Sequence, residues 1–391
     1  MARLNVKVHD LYPPGLYFSS IMARMTLLFF LFLFSAFSAE KEPNPSASLI
    51  LESASNNENT ISNGELVSIL RGNVVFVYDD IRIRSDEATW WRTRGAILFN
   101  NKVRVVRGRQ VITCNKMNFS KENNTLFATG NFDYYDSAQQ SRLKGNEAQY
   151  QFAKKTFFIK GNPVLIRYDT AQGETLTIKS ATMQFVDSLK CATGNDSVRI
   201  RKGKLQATCR LARYYTAQNA AQLRGAPDVR YDIHRLTGDS INLTFDKESL
   251  RNASVMGLAH GVYADTGSGK TADTAWTHIW GDSLYMAISD SGVLEVIWSV
   301  GRAKSKSYQN GNEAEANIAS GKIMMLGFNS HGEANLLKIW GSASSTYFVE
   351  DRSGKGCNEV SGDSVAATFA NGKARFVTLA GGTRGVYFPL P

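Results

Sequence analysis

Between Arg71 and Trp91 the chain reads RGNVVFVYDDIRIRSDEATWW, with apolar side chains at every second position through its centre. Period-two alternation puts successive side chains on opposite faces of a strand, so the stretch predicts a strand with one dry and one wet face. The pattern recurs. Gly72, Asn101, Gly130, Gly161, Gly194, Gly225 and Gly257 fall 29, 29, 31, 33, 31 and 32 residues apart. All but the last are followed within four residues by an alternating apolar run: Val74, Phe76 and Tyr78; Val103 and Val105; Phe132 and Tyr134; Val164, Ile166 and Tyr168; Val198 and Ile200; Val229 and Tyr231. The positions between them include Arg104, Asp133, Arg167, Arg199 and Arg230, which suit a solvated face.

A second column runs through most of the same units: Ala88 and Trp90, Met117 and Phe119, Ala148 and Tyr150, Met183 and Phe185, then Ile241 and Leu243. Several of these pairs follow short polar turns such as Ser85-Asp86, Asn115-Lys116 and Gly145-Asn146. Each unit therefore reads as two or more short strands joined by tight turns. Such a unit cannot bury a face alone, so neighbours must stack into one elongated core. Past Gly257 the rhythm lengthens. Turns opening at Gly238, Gly281, Gly321 and Gly362 are 43, 40 and 41 residues apart, with strands expected at 294–298, 337–340 and 376–379 and longer loops at 302–315 and 350–358. Almost nothing has helical periodicity, and 217–222 is the best candidate for a short helical turn.

The N-terminus changes the picture of where the protein acts. Arg24 precedes LLFFLFLF (27–34), small residues follow from Ser35 to Ala39, and the polar EKEPNPS comes next, which is the order of an export signal. The 13 residues 27–39 make a helix of roughly 20 Å, short of the about 30 Å of a bilayer core, so cleavage after Ser38 or Ala39 is expected. The alternative is an uncleaved inner-membrane anchor through 21–39. Either Met1 or Met22 suits the start of translation. Residues 40–47, rich in Pro and Ser, read as a flexible leader, and the expected location is the periplasm. Removing 1–39 leaves 42 basic and 34 acidic residues, a net charge of +8, which favours anionic partners; export argues against nucleic acid.

Other candidate chemistry is sparse. Of the four cysteines, Cys191 and Cys209 are the only pair near in sequence, and export permits a disulfide without requiring one. No CxxC spacing occurs and the five histidines are scattered, so no metal site is expected. The stretch ADTGSGKT (264–271) satisfies a loose phosphate-loop pattern but lacks a helix-forming sequence after it, and reads as a loop. Asp86 and Glu87 are adjacent on a strand and point to opposite faces, which rules them out as a catalytic pair. No catalytic residue and no cofactor is predicted.

The unit resembles the OstA-like family, the LptA, LptC and LptD-N-terminal group of lipopolysaccharide transport proteins. The resemblance rests on Gly72-Asn73-Val74, Ser85-Asp86-Glu87-Ala88-Thr89-Trp90-Trp91, Gly130-Asn131-Phe132, Gly145-Asn146-Glu147-Ala148-Gln149-Tyr150 and Gly161-Asn162-Pro163-Val164, with Leu49 to Ala54 similar to the family's first strand. It covers about residues 48–260; 261–391 are expected to continue the repeats or to form a second β-repeat region. What it implies is an all-β, elongated, open β-jellyroll of two facing antiparallel sheets, V-shaped, without catalysis. It further implies an apolar groove that shields lipid A acyl chains. The expected partners are lipopolysaccharide or a related envelope lipid, other OstA-fold components stacked by edge strands, and further copies of the chain head to tail. The expected groove lining is Val74, Phe76, Ala88, Trp90, Val103, Val105, Met117, Phe119, Phe132, Tyr134, Ala148, Tyr150, Val164, Ile166, Met183 and Phe185. Arg82, Arg84 and Arg104, with Arg107, Arg167, Arg199 and Arg201 beside other strands, are candidates for meeting lipid phosphates at the rim. Two other classes are open: an envelope scaffold built on the same repeats, and a polysaccharide-binding β-helix, whose rungs of about 20 to 25 residues fit the spacing poorly.

Overall fold

The computed structural model describes residues 49–390 apart from 121, 139, 170–172, 216, 232, 247–248, 266–274, 352–353 and 371–372. The expected export segment, the leader and most of the phosphate-loop-like stretch lie outside the described residues. The described residues form twenty-six strands, joined by antiparallel pairing into one hydrogen-bonded sheet, and two single-turn 3-10 segments, Asp187–Leu189 and Glu313–Glu315. The 217–222 stretch is not helical: it runs into the strand Ala220–Arg224. Residues 302–315 and 350–358 are largely strand, within Leu294–Gln309, Ala334–Asp351 and Gly354–Ala370.

The sheet is folded along a line of bends. Every second long strand, or pair of collinear short ones, turns at two consecutive left-handed residues: Gly72-Asn73, Asn101-Lys102, Gly130-Asn131, Gly161-Asn162, Asp196-Ser197, Gly225-Ala226, Gly257-Leu258, Gly301-Arg302, Gly341-Ser342 and Gly381-Gly382. Register slips at the same places, for example between Arg71 and Val74 opposite Glu87 and Ser85. An extra residue in one strand of an antiparallel pair sharply bends that strand. Repeated at one level across the sheet, the bend divides each long strand into a half in a first leaf (65–71, for instance) and a half in a second leaf (74–78). The turn-forming glycines of the sequence are therefore mostly mid-strand corners. Gly194 is the exception; that corner is Asp196-Ser197.

On the intervening strands the bend needs space. Gly281, Gly321 and Gly362 lie inside continuous strands rather than at hairpin turns. A Cβ on Gly321 would stand 2.4 Å from Ile339 Cγ2 and 3.0 Å from the Trp340 carbonyl oxygen.

Inner rows run unbroken along both leaves. Nearest the bends, the first leaf presents Leu70, Ala88, Phe99, Met117, Ala128, Ala148, Ile159 and Met183 in cross-strand register, and pairing carries the row on through Ile241, Val255 and Leu284 to Val365 and Leu379. The second leaf answers with Phe76, Ile83, Val105, Ile112, Tyr134, Leu143, Leu165, Ile178 and Ile200. The leaves meet across the interior: Phe76 sets its ring edge-on to Trp90 and Phe99, centroids 5.4 and 5.5 Å apart, and Phe132 packs on Phe157. One apolar cluster extends from Leu70 to Phe328, followed by a small one around Ala303, Ala319, Met324, Ile339, Ala343 and Val365.

Candidate functional site

The interior between the leaves gathers most of the residues that the two sequence columns single out. Val74, Phe76, Ala88, Val103, Met117, Phe132, Tyr134, Ala148, Met183 and Phe185 are buried on inner faces. Trp90, Val105 and Tyr150 also point inward, packed against the cluster, and they and Phe119 are only partly buried. Trp90, Phe119, Tyr150 and Phe185 occupy one cross-strand row of the first leaf, in the order Trp90, Ile97, Phe119, Leu126, Tyr150, Phe157, Phe185.

Val164 and Ile166 do not line the interior. Pro163 takes the inner position after the Gly161-Asn162 corner, as Val74 and Phe132 do after theirs, so the alternation beyond it is shifted by one. Leu165, 2% exposed, faces inward opposite Leu143, and Val164 and Ile166 face out beside Lys144 and Arg142. A one-residue shift exchanges the two faces of a strand.

Arg82, Arg84 and Arg104 also lie on the outer face. Arg82 pairs with Glu52 at 2.8 Å, and Arg84 and Arg104 are exposed cross-strand neighbours. Parity is again the reason, since Ile83 and Val105 hold the inner positions between them. The inward charges sit one alternation farther from the bends, in a cross-strand row formed by Arg107, Gln110, Asp136, Ser141 and Arg167. Lys202 continues it and is buried, as are Gln110, Asp136 and Ser141. The guanidinium Nε of Arg107 donates to both oxygens of Asp80 at 3.1 and 2.9 Å. Asp136 accepts from the Ala138 amide at 2.9 Å and from the Tyr134 hydroxyl at 3.4 Å. Ser141 Oγ, 1% exposed, has no hydrogen-bond partner among the described residues.

The open side of the interior therefore has two unlike lips. The first leaf offers Trp90, Phe119, Tyr150 and Phe152, with Phe152 edge-on to Tyr150 (4.8 Å) and Phe119 (6.2 Å) and Arg92 stacked over Trp90 at 4.2 Å. The second leaf offers the polar and charged row, buried at Gln110, Asp136, Ser141 and Lys202 and partly buried at Arg107 and Arg167. Farther along, the Tyr263 hydroxyl of the second leaf donates to the Gly332 carbonyl at 2.7 Å and its ring meets Phe328, so the turn after the strand Asn317–Phe328 closes the open side there.

The four cysteines are free and buried, so Cys191 and Cys209 are not bridged. Burial pushes the Cys114 and Cys209 thiols up to about 12, which makes both poor nucleophiles. Among the described residues no group of three or more His, Cys, Asp or Glu is placed to hold a metal. Sequence reasoning missed one concentration of rings on the outer face of the second leaf. There His260, Trp280, His278 and Tyr308 stack in succession across neighbouring strands, and His260 Nε2 lies 3.2 Å from His278 Nδ1. Burial, and for His260 then the charge of His278, holds these imidazoles below their ordinary range. Their sequence signal was the register of His260 with Trp280 and of His278 with Lys306, which becomes visible only once strands are paired.

Over the described residues, fold and interior together define a two-leaved β-jellyroll with an apolar inside and one open side edged by aromatic and charged lips. Residues 53–184 match the family model described as LptA/(LptD N-terminal domain) LPS transport protein, and this segment is an OstA-like domain. Among solved structures, the chain is similar to LptH, the LptA-homologous periplasmic component of the lipopolysaccharide transport device of Pseudomonas aeruginosa. The identity is 13% over 37% of this chain and 82% of that one, and the TM-score of 0.20 is too low to carry an argument about shape. No curated protein sequence matches the chain.

Proposed function

We propose that this protein is a lipopolysaccharide transport protein of the cell envelope, acting in the periplasm, and that it shields lipid A acyl chains between its two leaves. The observation that carries the reading is the unlike pair of lips on the open side. An amphiphile with several acyl chains and a phosphorylated head needs an apolar interior reached past an aromatic edge, with polar and cationic groups close by. Burying a chain gains about 0.8 kcal/mol per methylene, so acyl chains admitted between Phe119, Tyr150 and the rows behind them would be held against water. Arg107, Arg167 and Lys202 stand on the opposite lip as partners for phosphate. The match of residues 53–184 to a transport family supports the same reading. Edge strands at the two ends of the sheet, Asn56–Ser62 at one and Arg384–Leu390 at the other, would then stack on neighbouring components or on further copies of the chain.

In this proposal the interior is dry and packed when empty, and cargo enters by spreading the partly buried lip. The test is to place a photo-crosslinking side chain at Phe119, at Tyr150 and, as the outward control, at Tyr135, in cells that make lipopolysaccharide, and to probe for lipid adducts. Adducts at the two lip positions and none at Tyr135 are expected. No adduct at either lip position, with the far-UV circular dichroism of the folded protein intact, would leave the rows as plain core and favour an envelope scaffold.

A further inference from the structure

The outer face of the first leaf changes character along the molecule. Its row nearest the bends reads Arg71, Glu87, Asn100, Lys116, Thr129, Glu147, Lys160 and Thr182 in register, and stays largely polar to Ser240. The same row then continues as Met256, Ser283, Val300, Ile323 and Trp340. The next outer row follows suit with Tyr285, Trp298 and Met325. Met256 is 53% exposed and Val300 44%, and Tyr285, Ile323 and Trp340 are also exposed, so these side chains are not core. Trp298 and Trp340 stack with centroids 5.9 Å apart and planes within 9°.

A contiguous exposed apolar patch on a soluble face marks a surface that meets something other than water. Its dimensions choose among occupants. Five neighbouring strands and two rows span about 20 Å by about 14 Å, on the order of 300 Å². A stable complex with a second protein or a second copy needs about 800 Å² per partner. The patch is well below that, and in its two rows the only charge through Lys338 is that lysine itself. The patch is bordered by Lys338, Lys322 and, at the same level as Lys322, the Asp282–Arg302 ion pair; its Trp, Tyr, Met and Ile are side chains that settle at the boundary of lipid headgroups and acyl chains, where rings anchor and lysines reach phosphate. A bilayer imposes no minimum area and no matching pattern of charge.

We propose that the outer face of the first leaf, from the strand Ser249–Asp265 to the strand Ala334–Asp351, docks on the surface of a phospholipid bilayer, with Tyr285, Trp298 and Trp340 seated among the headgroups. This does not rest on what the interior carries. The test uses the whole chain with an environment-sensitive fluorophore on Val300→Cys or, as control in the polar part of the same row, on Lys116→Cys; the native cysteines are buried. Vesicles of phosphatidylethanolamine and phosphatidylglycerol should shift the Val300 probe to the blue, nitroxide-bearing lipids should quench it, and the Lys116 probe should not respond. A chain held to vesicles by its apolar segment 27–34 while the Val300 probe stays in water would overturn the proposal. So would a response that depends on protein concentration without lipid, which would point to a second copy. Combining Trp298→Ser and Trp340→Ser should cut the vesicle affinity read by the Val300 probe about tenfold or more with the thermal midpoint retained, and unchanged affinity would equally overturn it.

Discussion

The assignment of faces after the Gly161-Asn162 corner can be tested with two adjacent substitutions. Leu165→Ala removes a side chain that is 2% exposed and sits in the inner row between Leu143 and Ile178, both buried. Transfer of a leucine out of water is worth about 1.5 to 3 kcal/mol, and a cavity that cannot collapse brings the cost of truncation to about 3 kcal/mol. Ile166→Ala removes a half-buried side chain on the outer face, in register with Arg142 and Thr177, where water replaces it and the cost is about 0.5 to 1 kcal/mol. Urea unfolding followed by far-UV circular dichroism separates them. With an m-value of about 3 kcal/mol/M, Leu165→Ala lowers the midpoint by about 1 M and Ile166→Ala by no more than about 0.3 M. Equal shifts, or the larger one at Ile166, would mean that Pro163 does not hold an inner position and that the reasoning from the corner fails.

Two further outcomes follow from the bends and from the ring stack. Gly321→Ala puts a Cβ 2.4 Å from Ile339 Cγ2 and 3.0 Å from the Trp340 carbonyl, so a neighbour must shift, and a loss of about 2 kcal/mol, read as a fall of about 3 °C in the thermal midpoint, is expected, whereas an unchanged midpoint would refute the close approach. His260 and His278 are held below the ordinary imidazole value of 6.5, first by burial, with Arg235 beside the one and Lys306 and Glu313 beside the other. At neutral pH both are mostly uncharged, folded or unfolded. Below 6.5 the unfolded chain takes protons that the folded one resists, so stability is lost as pH falls toward the folded-state values; His278→Gln should flatten the thermal midpoint between about pH 7 and about pH 5, and an unaltered pH slope would count against the stack as its source.

Much of this architecture was legible from alternation alone. Trp90, Phe119, Tyr150 and Phe185 stand in one row because period-two alternation and a steady repeat leave little freedom in register. What alternation cannot supply is its own phase after an interruption. At Pro163 the count slips by one, and the apolar run Val164-Leu165-Ile166 conceals the slip because all three side chains suit either face. The arginines failed for a related reason. Arg104 and Arg107 differ by an odd number of positions, so only one of them can face inward, and charge alone favours neither. Gly281 and Gly362 open Gly-Asp-Ser, which is common in turns; the same residues serve at a corner inside a continuous strand, where space decides. The long C-terminal strands were hidden by polar composition, since Ser305, Ser307, Ser344 and Ser345 give no apolar alternation at all.

Those serines bear on why the molecule turns apolar on its outside. Along the second leaf the inner positions shrink from Phe132, Tyr134, Leu165 and Ile200 to Ala259, Gly281, Ala303, Gly321, Ala343 and Gly362 next to the bends, and the row beyond reads Gly261, Ile279, Ser305, Ala319, Ser345 and Val360, with only Ile279 and Val360 of any size. Small inner side chains bury little apolar area, and the core there contracts to the six-residue cluster around Met324 and Ile339. Near Tyr263 and Gly332 the open side is already closed. A stretch with so little interior has less apolar volume than the stretch before it, and less hydrophobic burial to hold it together. Meanwhile Met256, Trp298, Val300, Ile323 and Trp340 face out, where a soluble sheet gains nothing from them. The large side chains have been moved from inside to outside over the same strands. On the two proposals made above, the work is divided along the chain and not between the leaves: the stretch up to about residue 260 would enclose acyl chains, and the stretch beyond it would lie against the surface of a bilayer.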